Sequence, residues 1–261
     1  MKNYSVFISS SDAYSDIWPL FFDLFQMNWH DFNGVIYLNT EEKEYSHPGL
    51  NIVCTRVGKL GSFGKTFRAG LDKVPTDHVL LIMIDYIFMD KVRPYKLEEY
   101  YNYFVSENLD TLCLVHQNYP NQIPSVHPEL NNVIPPAPYV MFSYQVAFWK
   151  KIILREMALP HENPWMSEWY GSKRAEKMKI RLACLKQDLE RPIQYDLKGC
   201  LHQGKWLDNA VDFIRAKELK VNFDKRGCYV DGYNSLIFRV KLKLTIWSTG
   251  LRGSYWDLWK R

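Results

Sequence analysis

The chain has 261 residues, of which 47% are hydrophobic, 24% charged and 15% aromatic. This length and composition suit one large domain or two small ones with a buried core, and they exclude a wholly disordered chain. The formal net charge is +4, and the basic excess lies in residues 236–261, so the rest of the chain is close to neutral. This distribution differs from the continuous basic face of a nucleic-acid-binding protein, and we expect no nucleic-acid partner.

The sequence contains no apolar stretch of the roughly 20 residues that a membrane-spanning helix needs. Its first residues also become polar too soon for a signal peptide. We therefore expect a soluble, cytoplasmic protein whose five cysteines stay reduced.

In the first half of the chain, short apolar runs alternate with segments of helical spacing. The predicted strands are Tyr4–Ser9, Gly34–Leu38, Leu50–Cys54, His78–Ile84 and Thr111–Val115, and the predicted helices are Ile17–Trp29, Phe63–Lys73 and Tyr95–Ser106. The alternation predicts an α/β fold with a mostly parallel, doubly wound sheet. The most apolar strand, His78–Ile84, is typical of a central strand that is covered on both faces.

The pattern breaks between residues 119 and 138, which contain six prolines. This segment is predicted to be an irregular connection, either a rigid surface loop or a wall beside the active cleft. Two further helices are predicted after it, over Tyr144–Met157 and Ala210–Leu219.

The segment Gly58–Thr66 looks at first like a phosphate-binding P-loop. Five residues separate Gly58 from Gly64, whereas a P-loop needs four, so the spacing argues against that motif. Lys65 and Arg68 could still contact a phosphate, and the alternative for each is a solvated helix face.

Acidic residues follow two of the predicted strands. Asp85 ends the most apolar strand, and Asp12 comes shortly after the first strand. In an open α/β sheet these positions face the ligand crevice, where Asp85 could hold a divalent cation on a diphosphate and Asp12 could bond to a nucleoside. The alternative for both is a capping or turn aspartate.

A cluster of acids and aromatic rings occupies residues 161–174. Trp165 and Trp169 could stack on the apolar face of a sugar, with Glu162 and Glu168 as candidate general bases. The alternative is the start of a buried aromatic helix with surface acids. Later in the chain, His202 could be a ligand of the same cation, although a lone histidine more often has an ordinary structural role.

Together these segments resemble the GT-A-type glycosyltransferases encoded in bacterial capsule and lipopolysaccharide gene clusters. The resemblance extends from about Val6 to Trp206, and its order and spacing are more specific than any single piece. The segments that carry it are Ser11–Trp18, Trp29 with Val35–Leu38, Asp77–Leu81 with Asp85-Tyr86, Tyr144–Lys150, Glu162–Trp165 with Glu168, Gly171-Ser172 and Arg174, and Gly204–Trp206.

The resemblance implies a GT-A-like, Rossmann-like catalytic domain over residues 1–235, made of a mostly parallel twisted sheet flanked by helices. Its nucleotide-sugar half would be about 1–118 and its acceptor half about 139–235. The implied reaction moves a sugar from a nucleotide-sugar donor to a hydroxyl of a glycan or lipid-linked acceptor in surface polysaccharide biosynthesis.

By the same analogy, Asp12 lies near the donor nucleoside, and Asp85 holds the diphosphate together with Mn²⁺ or Mg²⁺. His202 would be a further metal ligand. Glu168 would deprotonate the acceptor hydroxyl if the enzyme inverts the anomeric centre, with Glu162 as the second choice.

This sequence departs from the family pattern at one position. Relatives often have two adjacent acids at the end of the central strand, whereas Ile84 precedes Asp85 here. A single carboxylate binds a hard cation less well, so the need for a metal stays open. Two other functions also stay open: a non-catalytic carbohydrate- or nucleotide-binding module, and a nucleotidyltransferase.

The tail, residues 236–261, has six basic residues, one acid, and the tryptophans Trp247, Trp256 and Trp259. This composition suits peripheral binding to an anionic membrane surface on the inner face of the cell membrane. The alternative is an edge strand and a docked terminal helix.

Overall fold

The computed structural model describes residues 3–117, 121–134 and 142–230. The predicted basic aromatic tail lies outside these residues. Within them, no helix has the length and apolar character needed to cross a bilayer.

A nine-stranded sheet in the order β3-β2-β1-β4-β8-β5-β9-β7-β6 forms the centre of the molecule. Its strands are β1 Tyr4–Ser9, β2 Val35–Leu38, β3 Asn51–Cys54, β4 His78–Met83, β5 Thr111–Cys113, β6 Gln122–Pro124, β7 Leu130–Val133, β8 Ala147–Lys150 and β9 Leu182–Leu185. Seven strands point the same way, and β7 and β8 run opposite to them. The prediction of a mostly parallel α/β sheet is confirmed.

Helices flank this sheet. They are α1 Trp18–Asn28, α2 Phe63–Asp72, α3 Pro94–Ser106, α4 Lys151–Met157, α5 Pro164–Lys177 and α6 Asp208–Ala216, with a 3₁₀ turn over Asp12–Tyr14 and a small hairpin of β10 Leu201–His202 and β11 Lys205–Trp206. Prolines occupy the first turns of α1, α3 and α5, where a missing N–H costs nothing. Asn163 caps α5 by accepting a hydrogen bond from the Met166 N–H.

The strand β4 is central and apolar, as predicted. Its residues Val79, Leu80, Leu81 and Ile82 are completely buried. β1, β2 and β3 extend from one side of this position, whereas the chain after β4 builds the other side of the sheet. The winding direction therefore reverses between β1 and β4, and a crevice at their carboxyl ends is where ligands bind in sheets of this kind.

The predicted single helix over Tyr144–Met157 is wrong. Residues Ala147–Lys150 form β8, which lies antiparallel between β4 and β5, and the helix α4 begins only at Lys151. Ala147, Phe148 and Trp149 are at most 2% exposed. An apolar run this short does not distinguish a buried strand from a buried helix, because it contains too few residues to show a period.

The predicted irregular connection is also wrong over part of its length. Within residues 122–133, β6 and β7 pair as an antiparallel hairpin at the edge of the sheet. Pro124 ends the outermost strand β6, where a residue without an N–H is tolerated.

The glycines of the segment that looked like a P-loop have structural explanations. Gly58 and Gly61 have φ of +78° and +76° in the loop before α2. A Cβ on Gly64 would lie 1.9 Å from the main-chain oxygen of Leu159, so this glycine allows α2 to pack closely against the chain before α5.

Candidate functional site

A cleft of about 670 Å³ opens at the carboxyl ends of β1 and β4, the position where the winding of the sheet reverses. The segments after β1 and β4, the first turns of α5 and the chain around β10 form its walls. Among its lining residues are Ser10, Tyr14, Asp85, Glu168 and His202. The volume is within the range of small-molecule sites.

Asp85 lies two residues beyond β4 on the floor of this cleft. Its main-chain oxygen accepts a hydrogen bond of 2.7 Å from the Cys200 N–H. Gly199 has φ of +79°, and a Cβ there would lie 2.6 Å from Oδ2 of Asp85. Burial raises the pKa of Asp85 to about 6, and no cationic side chain in the described residues forms an ion pair with it. The carboxylate therefore lies on the floor of the cleft without a counter-charge among those residues.

Glu168 reaches the same cleft from α5. Its Oε1 accepts a hydrogen bond of 2.9 Å from the Tyr144 N–H. Burial raises the pKa of Glu168, while that hydrogen bond opposes the rise. A carboxylate whose pKa is raised towards neutrality is a better general base than an exposed one.

Two cations that the sequence interpretation missed also line the cleft. Arg226 forms an ion pair with Asp16, with 2.5 Å between Nη2 and Oδ1, and its guanidinium lies 5.1 Å from the ring centre of Tyr14. Lys198 is exposed, and its ammonium has no ion-pair partner in the described part of the chain. Nothing local in the sequence links either residue to Asp85, because both come from distant segments.

His202 lies on β10 and lines the cleft with Asp85. Its ring packs edge-on against Tyr229, with 4.5 Å between the ring centres.

The Asp12 carboxylate is bonded to the loop after β2. It accepts hydrogen bonds from the main-chain N–H groups of Glu41, Glu42 and Lys43, at 2.9, 2.9 and 3.0 Å. Burial alone would raise the pKa of Asp12, but these N–H groups and Lys43 lower it overall. Asp12 is outside the cleft lining, although its neighbours Ser11 and Ala13 belong to it.

Lys65 and Arg68 lie on α2, also outside the cleft lining. Lys65 is exposed. Arg68 donates hydrogen bonds to the main-chain oxygens of Arg155 and Ala158 and so joins α2 to the end of α4.

The structure separates the two candidate bases of residues 161–174. Glu162 is 1% exposed and does not belong to the cleft lining. Its carboxylate accepts hydrogen bonds of 2.8 and 2.6 Å from the guanidinium of Arg174. Trp165 lines the cleft and is 60% exposed, and Trp169 lies one turn further along α5 and is 39% exposed.

Asp85 and His202 offer a metal one carboxylate and one imidazole in the cleft. Such a pair fits a divalent cation only if the phosphates of a ligand complete the coordination, as is usual for Mg²⁺. The one group of three possible ligands in the described ranges lies elsewhere: Glu99, His127 and Glu129, with ligand atoms within 4.8 Å of one another.

That group already contains a positive charge. The Lys96 ammonium lies 3.0 Å from Glu99 and 2.6 Å from Glu129. Nδ1 of His127 accepts a hydrogen bond from the Glu129 N–H, so this nitrogen is not available to a metal in the present arrangement.

Comparisons with known proteins give likenesses of fold alone. No protein-family model matches the chain, and no curated protein matches it in sequence. The structure of S. aureus TarS 1–349 in complex with UDP matches with 13% identity and a TM-score of 0.48, over 71% of this chain and 58% of that one.

Two other solved structures match more loosely. One is the bifunctional IspDF from Campylobacter jejuni, with 9% identity and a TM-score of 0.38, over 75% of this chain and 53% of that one. The other is CMP:2-keto-3-deoxy-manno-octonic acid synthetase complexed with CTP, with 13% identity and a TM-score of 0.39, over 72% of this chain and 94% of that one. The chain spans a little over half the length of the TarS 1–349 chain that it matches. Likenesses this distant say nothing about activity.

Proposed function

We propose that this protein is a glycosyltransferase that moves a sugar from a nucleotide-sugar donor to a hydroxyl of a glycan or lipid-linked acceptor. One observation carries the proposal: the carboxylates of Asp85 and Glu168 line a single cleft at the point where the sheet reverses its winding. The first approaches from the end of β4 and the second from α5, so a donor and an acceptor can lie between them.

On the donor side, the nucleotide would lie in the crevice after β1 and β4, with its diphosphate towards Asp85 and Lys198. Asp85, with His202 as a second ligand, would bind Mn²⁺ or Mg²⁺ jointly with the phosphates of the donor. The cation would supply positive charge that stabilises the leaving diphosphate.

On the acceptor side, Glu168 would act as the general base of an inverting transfer. The acceptor hydroxyl oxygen forms a bond to the anomeric carbon while its proton moves to Glu168. The bond from that carbon to the diphosphate oxygen breaks, and the nucleoside diphosphate leaves with the electron pair. The raised pKa of Glu168 favours its role as proton acceptor.

Membrane attachment and a role in surface polysaccharide synthesis remain predictions from the sequence. Both concern the acceptor, and the residues that would bind a membrane, 236–261, lie outside the described part of the chain.

The proposal is tested by thermal shift with UDP, GDP, CDP and their sugars, with and without Mn²⁺. A ligand at a hundredfold its dissociation constant stabilises a fold by about 2.7 kcal/mol. We expect one nucleotide to raise the melting temperature of the wild type, and the Asp85→Ala variant to lose that shift.

The chemistry is tested with Glu168→Gln, which should keep donor binding and lose donor hydrolysis or transfer. The matched control is Glu176→Gln, an exposed acid on the same helix, which should behave as the wild type. Absence of any nucleotide shift would refute the proposal. Nucleotide binding without hydrolysis or transfer would indicate a binding module, and formation of a nucleotide-sugar from a sugar phosphate and a nucleoside triphosphate would indicate a nucleotidyltransferase.

A further inference from the structure

The tryptophans of this protein are divided unevenly between the core and the surface. Six lie in the described residues, and four of them are at most 2% exposed: Trp18, Trp29, Trp149 and Trp206. The two exposed ones, Trp165 and Trp169, are both on α5 beside the cleft. Isolated exposed apolar residues need no explanation. Two large exposed rings on neighbouring turns, next to a candidate active site, form an apolar patch of the kind that binds ligands.

Helical geometry arranges these residues in a row. Positions four apart lie on the same face, and a rise of 1.5 Å per residue separates Trp165 from Trp169 by roughly 6 Å along the axis. Lys173 continues the row, with its ammonium 5.7 Å from the ring centre of Trp169. We call Trp165, Trp169 and Lys173 the aromatic ridge. Trp165 lines the cleft, whereas Trp169 and Lys173 lie further along α5, outside the cleft lining.

The buried side of α5, which includes Gly171 and Ser172, is firmly packed. A Cβ on Gly171 would lie 2.7 Å from the Phe142 ring and 2.8 Å from the Met157 oxygen. The Ser172 hydroxyl accepts a hydrogen bond from the Phe142 N–H and donates one of 2.6 Å to the main-chain oxygen of Glu168. The ridge therefore stands on a firmly packed helix, whose backbone holds the two tryptophans on neighbouring turns before a ligand binds.

We propose that the aromatic ridge binds an extended oligosaccharide acceptor, with the reacting sugar at Trp165 and the next sugar outwards at Trp169. This inference rests on the proposed function, because the general base Glu168 determines which sugar of the acceptor reacts. Glu168 and Trp165 are three residues apart on α5 and both line the cleft, so the attacking hydroxyl lies beside Trp165. A chain of sugars can place successive apolar faces on successive rings, whereas a single sugar occupies only the first.

The test measures binding of oligosaccharides by isothermal titration calorimetry. The probes are β1,4-linked N-acetylglucosamine, β1,4-linked glucose and α1,4-linked glucose, each from monosaccharide to hexasaccharide. We expect affinity for one series to rise from the monosaccharide to the trisaccharide. Trp169→Ala should lower trisaccharide affinity about three- to tenfold and leave that of the monosaccharide unchanged. Trp165→Ala should lower both, and Trp169→Phe should restore most of the trisaccharide affinity.

The control variant is Tyr95→Ala, which removes another exposed ring, 64% exposed on α3, and should bind as the wild type does. Equal trisaccharide affinity in the wild type and Trp169→Ala overturns the inference, as does failure of every series to bind. Binding to anionic lipid vesicles that depends on Trp169, without oligosaccharide binding, also overturns it. A nucleotide thermal shift is measured in the same variants, so the proposed function can stand while the acceptor inference fails.

Discussion

We expect the carboxylate of Asp85 to make the protein less stable at neutral pH. Its pKa in the folded protein is about 6, above its ordinary value of 3.8, because burial removes water from the charged form. The folded state therefore binds this proton more tightly than the unfolded state. The stability that comes from protonated Asp85 is fully present below about pH 4 and is lost as the pH rises through 6.

Replacing Asp85 with the neutral Asn should remove this penalty. We expect Asp85→Asn to raise the free energy of unfolding at pH 7 by about 1–3 kcal/mol and to change it little at pH 4. Urea unfolding of both proteins at the two pH values measures the difference. A variant that is less stable than the wild type at pH 7 would show that a cation of the protein already stabilises the carboxylate.

Gly199 has two separable requirements, a positive φ and space beside Asp85. Gly58 has nearly the same φ, +78° against +79°, but a Cβ there would meet nothing within 4 Å. Both Gly→Ala variants share a backbone penalty of roughly 1–2 kcal/mol, because an L residue is strained at positive φ. We expect Gly199→Ala to lose at least about 1 kcal/mol more in urea unfolding and also to lose the nucleotide thermal shift. Equal losses in the two variants would mean that Asp85 moves aside freely.

At the scale of the element, the start of α5 depends on an ion pair that is separate from the cleft. The guanidinium of Arg174 binds both oxygens of Glu162 and also donates to the main-chain oxygen of Met157, which ends α4. The Glu162 N–H and one of its oxygens also bond with Leu159. The pair thus joins two helices and the turn between them.

Glu162→Gln should therefore affect stability rather than chemistry. We expect a loss of about 3 kcal/mol in unfolding free energy, because Arg174 keeps its charge in a largely buried place without its counter-charge. Nucleotide affinity per folded molecule should stay unchanged. Glu168→Gln should show the reverse pattern, with stability kept and turnover lost. Loss of turnover at full stability in Glu162→Gln would instead favour Glu162 as the base.

Sequence patterns predicted the first half of the sheet well, because each strand from β1 to β4 has its own apolar run, and helices separate β1 from β2 and β3 from β4. The sequence patterns failed at β8, since a four-residue run is too short to show a period. Its antiparallel position depends on pairing with β4 and β5, which come earlier in the chain.

Asp85 could be located from the end of the most apolar strand. Lys198 and Arg226 could not, because only the folded chain brings residues from 198 and 226 to that strand.

At the scale of the whole molecule, one sheet joins the two halves that the sequence suggested. β4 from the first half pairs with β8 from the second, and β8 pairs with β5 from the first. Neither half has a complete sheet of its own, so their stabilities are coupled.

We therefore expect a single cooperative unfolding transition. Circular dichroism should coincide with tryptophan fluorescence, which reports on buried rings in both halves, namely Trp18, Trp29, Trp149 and Trp206. The calorimetric and van't Hoff enthalpies should agree. Two resolved transitions, or different midpoints for the two probes, would show that the halves unfold independently.

The position of β8 also has a consequence for synthesis on the ribosome. The strands β1 to β5 leave the exit tunnel first, yet β4 and β5 are joined into one sheet only when β8, residues 147–150, pairs with both. Until then the nascent chain exposes two apolar strand edges, which are templates for pairing with other chains. The sheet is complete only after translation of the second half, and we expect a truncated product ending near residue 118 to aggregate rather than persist as a nucleotide-binding fragment.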